Sequence, residues 1–272
     1  MNTNYSNQRG SVVPIVIGLV VVALVGVVGY MLVSLLTDEN SNSNNFVGGL
    51  IGDSAKSEST DTPPLKLKSI GINLGEYDPA TGKAGDMVFT KLHIEGYKDV
   101  IFFDYGAVAE ANSVAQRRLN PQPTFILPLG TKVHSLVDGV VVDVPKLYSN
   151  DYSIQVGTNK DSQWLYETEH VINPLVKVGD KVKAGQVIAE VSTHDSQYHP
   201  GFGLYEIGIL HAGNPPTHVC PFNYLDDSIK DSVWKNLTAF YKAWEEYRGD
   251  TKLYDESKHV VPGCYTLDPV EG

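Results

Sequence analysis

Eight histidines are spread along the 272-residue chain, and one of them sits where acid–base chemistry or metal binding is conceivable. His170 ends the stretch Tyr166-Glu167-Thr168-Glu169-His170, and Glu206 stands nearby in the order of elements, in Leu204-Tyr205-Glu206-Ile207. An imidazole beside a carboxylate is the pairing that general acid–base catalysis uses, because the carboxylate orients the ring and supports its charged form. A zinc site would need three protein ligands converging on one point at about 2.0–2.2 Å. The other candidates, His93, Asp104, His134, His194, His199 and His211, are scattered, and no H-x-H pair occurs in the chain. Asp104 and His199 are the pair that could approach each other. His194 and His199 flank the loop Thr193 to Phe202, where histidines are ordinarily solvated. For His170 two readings stand side by side: a residue facing a cleft, or a partly buried one bonded to Glu206 or to a backbone carbonyl. Strict strand alternation along WLYETEHVI puts Glu167 and Glu169 on the face opposite Tyr166, Thr168 and His170.

The elements that would position these side chains are short strands. From Leu65 to about Leu210 the chain alternates apolar runs with turn residues; examples are DMVFTKLHI, DVIFFDYGAVA, TKVHSLVDGVVVDV, YSIQVG and LYEIGIL. Val, Ile, Phe and Tyr dominate the runs, and Gly, Asn, Asp and Pro separate them, which predicts an all-β region. HIEGYKDVIFFDYGA reads as two strands joined by a glycine turn. VKVGDKVKAGQVIAEV, Val176 to Val191, predicts two short strands around a corner, with glycines where the chain reverses at φ > 0.

Pro221 to Gly249 differs. Ile229, Val233, Leu237, Phe240, Trp244 and Tyr247 recur at spacings of three and four, one apolar stripe on a helix that packs on the β region. Asp227 or Ser228 is expected to cap its start and Gly249 its end. Cys220 precedes this helix and Cys264 follows it. An isolated pair outside the cytoplasm favours a disulfide; the alternative is two separate buried thiols. Two cysteines without a C-x-x-C do not make a four-ligand zinc site. Asn236-Leu237-Thr238 fits a glycosylation pattern but falls inside the helix.

Four blocks in order carry a family resemblance: Pro128-Leu129-Gly130-Thr131-Lys132-Val133-His134-Ser135 followed by Val137-Asp138-Gly139-Val140-Val141, then Glu169-His170-Val171, then the corner at 176–191, then Leu204-Tyr205-Glu206-Ile207. Together, from about Asn120 to Leu210, they resemble the lysostaphin/LytM-type zinc peptidases, the duplicated hybrid motif family that cuts peptidoglycan cross-links. The corner alone is shared with biotinyl and lipoyl carrier domains, but Lys146, in VPKLY, has no carrier motif around it. The resemblance implies a mostly β, barrel-sandwich-hybrid domain with one C-terminal helix. It also implies zinc, held by an H-x-x-x-D pair and the second His of H-x-H. Counting back from Pro128 and Glu206 puts those positions on Asn120 and Thr124, and on Phe202 and Leu204. Asn120, Thr124 and Leu204 therefore replace the three ligands. His170 survives, at a position that assists catalysis without binding the metal. The resemblance then implies a degenerate member with no cofactor; zinc belongs only to the alternative, an active endopeptidase with a rearranged site.

The rest of the chain places this domain. Ser11 to Leu36 carries no charged residue and is long enough to span a bilayer. No clear cleavage site and no lipobox cysteine follow, so it reads as an uncleaved signal anchor. Arg9 before it, with Asp38 and Glu39 after it, puts residues 1–10 in the cytoplasm and the domain outside. Residues 37–64, rich in Ser, Asn, Asp and Gly, read as a flexible tether. Residues 65–219 form the expected β domain, and 220–272 the helix and tail. Net charge is -11, which excludes general nucleic-acid binding. The expected partners are the membrane, peptidoglycan or another cell-surface polymer, or a cell-wall hydrolase that the module regulates. A structural or assembly role at the cell surface is the remaining alternative.

Overall fold

The structure, a computed structural model, describes residues 62–94, 98–109 and 118–272. The apolar segment at Ser11–Leu36 and all but the last residues of the tether lie outside the described residues. No helix among the described residues is long and apolar enough to cross a membrane.

Strands β1 (Lys83–Ala84) and β2 (Met87–Val88) form a hairpin. β3 (Phe102–Phe103) joins the main sheet, while β4 (Val108–Ala109) and β5 (Arg118–Leu119) pair with each other. The main sheet continues through β6 (Thr124–Pro128), β7 (Lys132–His134), β8 (Gly139–Asp143), β9 (Tyr152–Gly157) and β10 (Trp164–Ile172). It is completed by β11 (Lys181–Val182), β12 (Val187–Val191), β13 (Phe202–His211), β14 (Thr217–Val219) and β15 (Val270–Glu271). Its path is β11-β8-β9-β10-β13-β14-β15, all antiparallel, with β6 on the first half of β13, β3 on β6, and β12 bridging β10 and β7. β10 and β13 pair from Trp164↔His211 to Glu169↔Glu206. Flanked on both edges, these two strands carry Glu167, Glu169, His170 and Glu206 of the candidate site.

The corner at 176–191 is built as the sequence predicts. Gly179 (φ 89°) and Gly185 (φ 78°) take left-handed backbone, and their N–H groups donate to Val141 O and Ser135 O, each at 2.9 Å. A side chain at either position would strain the turn that holds β11 and β12 in register. HIEGYKDVIFFDYGA departs from expectation. His93–Ile94 is not a strand, and β3 pairs with β6 instead, through Phe102↔Phe125 and Phe103↔Thr124. The reason is apolar. Phe102 is buried against Phe125 (ring centroids 4.8 Å) and Phe222 (5.9 Å), a core that a local hairpin would not reach.

Helix α1 (Asp227–Arg248) buries Val233, Leu237, Phe240 and Trp244 of the expected stripe. Phe89 meets Trp244 and Phe240 edge-on at 5.1 and 5.8 Å, so the segment before β3 packs on the helix. Both α1 tryptophans satisfy their indole N–H, Trp234 on Phe222 O and Trp244 on Asp99 O. Tyr241 and Glu245 are buried outside the stripe because each has a polar partner, Asp104 and the Tyr254 N–H. Asn236 donates to Leu74 O. The cap is Asp226, one residue before the two expected; its carboxylate accepts from Ser228 N at 3.0 Å. Asp226→Ala should destabilise the helix start, read as a lower urea midpoint at unchanged slope. Gly249 closes the helix in left-handed backbone, as expected. Cys220 and Cys264 are bonded, tying the two ends of the helical segment together.

Candidate functional site

β6 and β13 lie side by side, with Glu206 opposite Thr124 and Leu204 opposite Ile126. The residues at the expected ligand positions are therefore close together, and each is occupied otherwise. Thr124 Oγ1 lies 3.0 Å from Glu206 Oε1 and 3.1 Å from Gln122 O. The Asn120 amide donates to Asp104 O at 3.2 Å and reaches Thr124 Oγ1 at 3.5 Å. Leu204 and Phe202 are buried apolar side chains. A hydroxyl, an amide turned donor-first and a leucine do not fit zinc, which takes deprotonated nitrogen, sulfur or carboxylate donors. Among the described residues, no group of three or more His, Cys, Asp or Glu is placed to hold a metal ion.

His170 does reach this centre, against the strand alternation read from the sequence. The ladder between β10 and β9 shifts between Thr168 and Val171, and His170 itself has φ 58°. This bulge inserts one residue and re-aims the imidazole to the side that carries Glu206. His170 Nε2 then lies 3.9 Å from Glu206 Oε2. Nδ1 faces Asp151 Oδ2 at 3.1 Å, and the ring stacks on His194 at 3.9 Å. Asp151 also accepts from Ser192 Oγ at 2.6 Å and from Ser149. His170 and Asp151 are both almost completely buried. Burial works to lower the imidazole pKa, but Asp151, Glu206 and Glu169 outweigh it and hold His170 above its ordinary value. Burial likewise opposes ionisation of Asp151, yet the bonds from His170, Ser149 and Ser192 bring it down to about 2. The pair is an ion pair held from both sides. His194 is pushed down by its own burial and by the charge on His170.

Three glutamates surround the pair. Glu206 is raised by burial, offset in part by His170 and Thr124. Glu167 is raised by burial although Ser153, Gln155 and Gln122 all bond to it. Glu169 shares the Gln122 amide at 3.1 Å and is pushed up to about 8, first by burial and then by Glu167 and Glu206. A carboxyl raised in the fold from 4.5 to about 8 gives stability that is full below pH 4.5 and is lost as pH rises through 8. Glu169→Gln should therefore stabilise the fold at pH 8.5, by of order 2 kcal/mol, and leave it unchanged at pH 4. Urea titrations at the two pH values check this; an equal effect at both would contradict it.

The remaining candidates are spent elsewhere. His93 pairs with Asp99 at 2.9 Å near the surface. Asp104 takes His259 Nε2 and the Tyr241 hydroxyl rather than His199. His199 is buried, not solvated, within the influence of Asp195 and His194. His134 Nδ1 lies 3.1 Å from Gly71 O, and Asp138, four residues on, pairs with Lys68. His211 sits edge-on to Trp164. Asp151, Ser149, Ser192 and Gln122 belong to the centre without having been singled out from the sequence. Asn150-Asp151 reads only as a turn ahead of YSIQVG. The arrangement can hold and exchange a proton at His170, but no hydroxyl or thiol nucleophile bonds to its Nε2 among the described residues.

The family model described as peptidase family M23 matches residues 124–209. No curated protein matches the chain. Among solved structures, lysostaphin from Staphylococcus simulans is 21% identical, covering 52% of this chain and 55% of that one at a TM-score of 0.37. The catalytic domain of the prophage-encoded M23 protein EnpA from Enterococcus faecalis is 20% identical over 44% of this chain and 88% of that one, TM-score 0.35. A chain of the SpoIIQ–SpoIIIAH pore-forming complex is 19% identical over 47% and 76%, TM-score 0.33. The match spans 43% of the chain in the solution structure of lysostaphin. Residues 124–209 thus match the model of peptidase family M23.

Proposed function

We propose that the chain is a membrane-anchored, extracytoplasmic M23-like module without peptidase activity, which binds cell-envelope material or regulates a cell-wall hydrolase. One observation carries this reading. Thr124 and Glu206 are hydrogen-bonded to each other at the centre, where the family would hold its metal between β6 and β13. His170 leans on the same carboxylate. Polarisation of a peptide carbonyl and activation of a water both need an open metal position, and these side chains supply none. What is kept is the buried pair of His170 and Asp151 at the centre. The charge-free segment Ser11–Leu36 supports the anchor, and the positive-inside bias of Arg9 supports the outward domain.

The test is co-sedimentation of the full purified chain with insoluble peptidoglycan, with and without added zinc, while soluble fragments are monitored. Binding without release of fragments is the expected result. Zinc-dependent release would overturn the non-catalytic reading. Absence of binding would shift the role to regulation of a hydrolase, tested by adding the chain to hydrolase digests. Protease protection in membrane vesicles checks the orientation separately.

A further inference from the structure

We propose that the loop between β12 and β13, residues 192–201, is an acid-sensitive strap on the His170 centre: protonation of His194 breaks its stack with His170 and lets the loop lift away. The stack carries the inference. The His194 and His170 rings lie 3.9 Å apart between centroids and 17° from parallel. The His170 side chain is almost completely buried, and that of His194 is largely so. His194 is thus the contact that joins the loop to the centre.

Much of the loop's bonding is internal. Ser196, Tyr198 and Phe202 donate their N–H groups to Thr193 O, Asp195 O and His199 O. Asp195 turns the chain in left-handed backbone, at φ 59°. Two outward bonds sit at its ends, Leu204 N to His194 O and Leu129 N to Gly201 O, each at 3.1 Å. Between them the side chains of His194 and His199 point inward; His199 is buried. Tyr148, ahead of β9, meets His194 edge-on at 6.0 Å and is itself highly exposed. A segment bonded largely to itself opens at low cost, so a repulsion inside the stack is felt by the whole loop.

His170 is the fixed cation of the stack. Asp151 lies 3.1 Å from its Nδ1, Glu206 lies 3.9 Å from its Nε2, and Glu169 supports the same charge. A neutral imidazole laid on that cation is attracted through its ring face. A charged one is repelled, at a separation where like charges act strongly. The groups that face His194 are His170 from β10, Asp151 and Tyr148 from the segment ahead of β9, and Asp195 and His199 from its own loop. Asp195 Oδ1 lies 3.8 Å from His194 Nε2. Asp195 and Asp151 favour the charged ring, but burial and His170 prevail and hold it below its ordinary value. A base lowered in the closed state leaves that state at full strength above the ordinary 6.5 and weakens it as pH falls through the lowered value. Opening releases His194 to take its proton in water and bares the face of His170. The device stands on the stack and holds whatever the domain binds.

Hydrogen–deuterium exchange of the full chain tests it, read by mass spectrometry at about pH 7.5 and about pH 5, with times scaled to the intrinsic rate. In the parent chain, peptides covering 193–204 are expected to lose protection about tenfold or more at the lower pH, while those of α1 do not change. His194→Phe keeps a ring on His170 and cannot charge; its loop should be protected equally at both pH values. His194→Gln, smaller and also uncharged, should be equally indifferent to pH, even with a looser loop. The proposal is overturned if the parent loop shows the same protection at both pH values, or if α1 opens together with it. It is also overturned if either variant still loses protection in acid. The responsible group would then be His199, lowered by burial in the same loop, or Glu206, raised by burial beside His170.

Discussion

Replacing both cysteines, as Cys220→Ser with Cys264→Ser, should lower the unfolding free energy by about 4 kcal/mol. The bond spans 44 residues and encloses the whole of α1. In the chain-entropy picture, a loop of that length removes about that much freedom from the unfolded state. Both half-cystines are buried, so the native state also gains their packing. The tail beyond Cys264 depends on the link. Tyr105, whose hydroxyl donates to His218 O or Asp268 O, and β15 on β14 fix residues 265–272 to the sheet. Urea unfolding of the oxidised chain, the reduced chain and the double variant measures the effect. Equal midpoints for all three would show that the bond holds together nothing that the core does not already hold.

Asp151→Ala is expected to have the next largest effect, a loss of about 3 kcal/mol near neutral pH. The substitution removes the acceptor for His170, Ser149 and Ser192 together. It leaves an imidazole buried beside Glu206 with its chief counter-charge gone. The sign with pH follows from the lowered carboxyl. The Asp151 contribution is present above its unfolded value of 3.8 and is lost as pH falls through about 2. The stability difference between the variant and the parent chain should therefore be full at pH 7 and shrink below pH 4. In the variant the His170 pKa should also drop, since burial would then meet less opposition. Imidazole resonances followed by NMR during a pH titration read this directly. A loss below about 1 kcal/mol, or an unchanged His170 titration, would contradict the ion pair described here.

Much of the scaffold is legible in local pattern. The corner at 176–191 announces itself through Gly179 and Gly185, because a left-handed residue is a local demand that glycine meets. The α1 stripe is legible because a helix repeats its buried face every three or four residues. The four family blocks place β7, β8, β10, β11, β12 and β13 in order. The centre is less legible for a physical reason. His170 is re-aimed by a bulge, and one extra residue in a ladder reverses the face assigned by alternation. Asp151 reaches His170, and Ser192 reaches Asp151, from the ends of other strands, contacts of 19 and 41 residues' separation with no periodicity behind them. Residues 65–94 are settled by distant partners too. Leu67 N and O bond to Tyr224 O and Asp226 N, across the start of α1. The exchange of the expected cap for Asp226 is smaller; two adjacent aspartates and a serine offer three candidates, and only backbone geometry selects one.

On the function proposed above, the M23-like centre holds no zinc. Thr124 bonded to Glu206, Asn120 turned toward Asp104 O and Leu204 buried beside them leave no set of donors for zinc among the described residues. Zinc per chain, measured by mass spectrometry on protein purified without chelator and again after titration with zinc, tests this most directly. Close to none is expected in either sample. About one zinc per chain, retained through dialysis, would contradict it and make peptidoglycan cleavage the activity to assay.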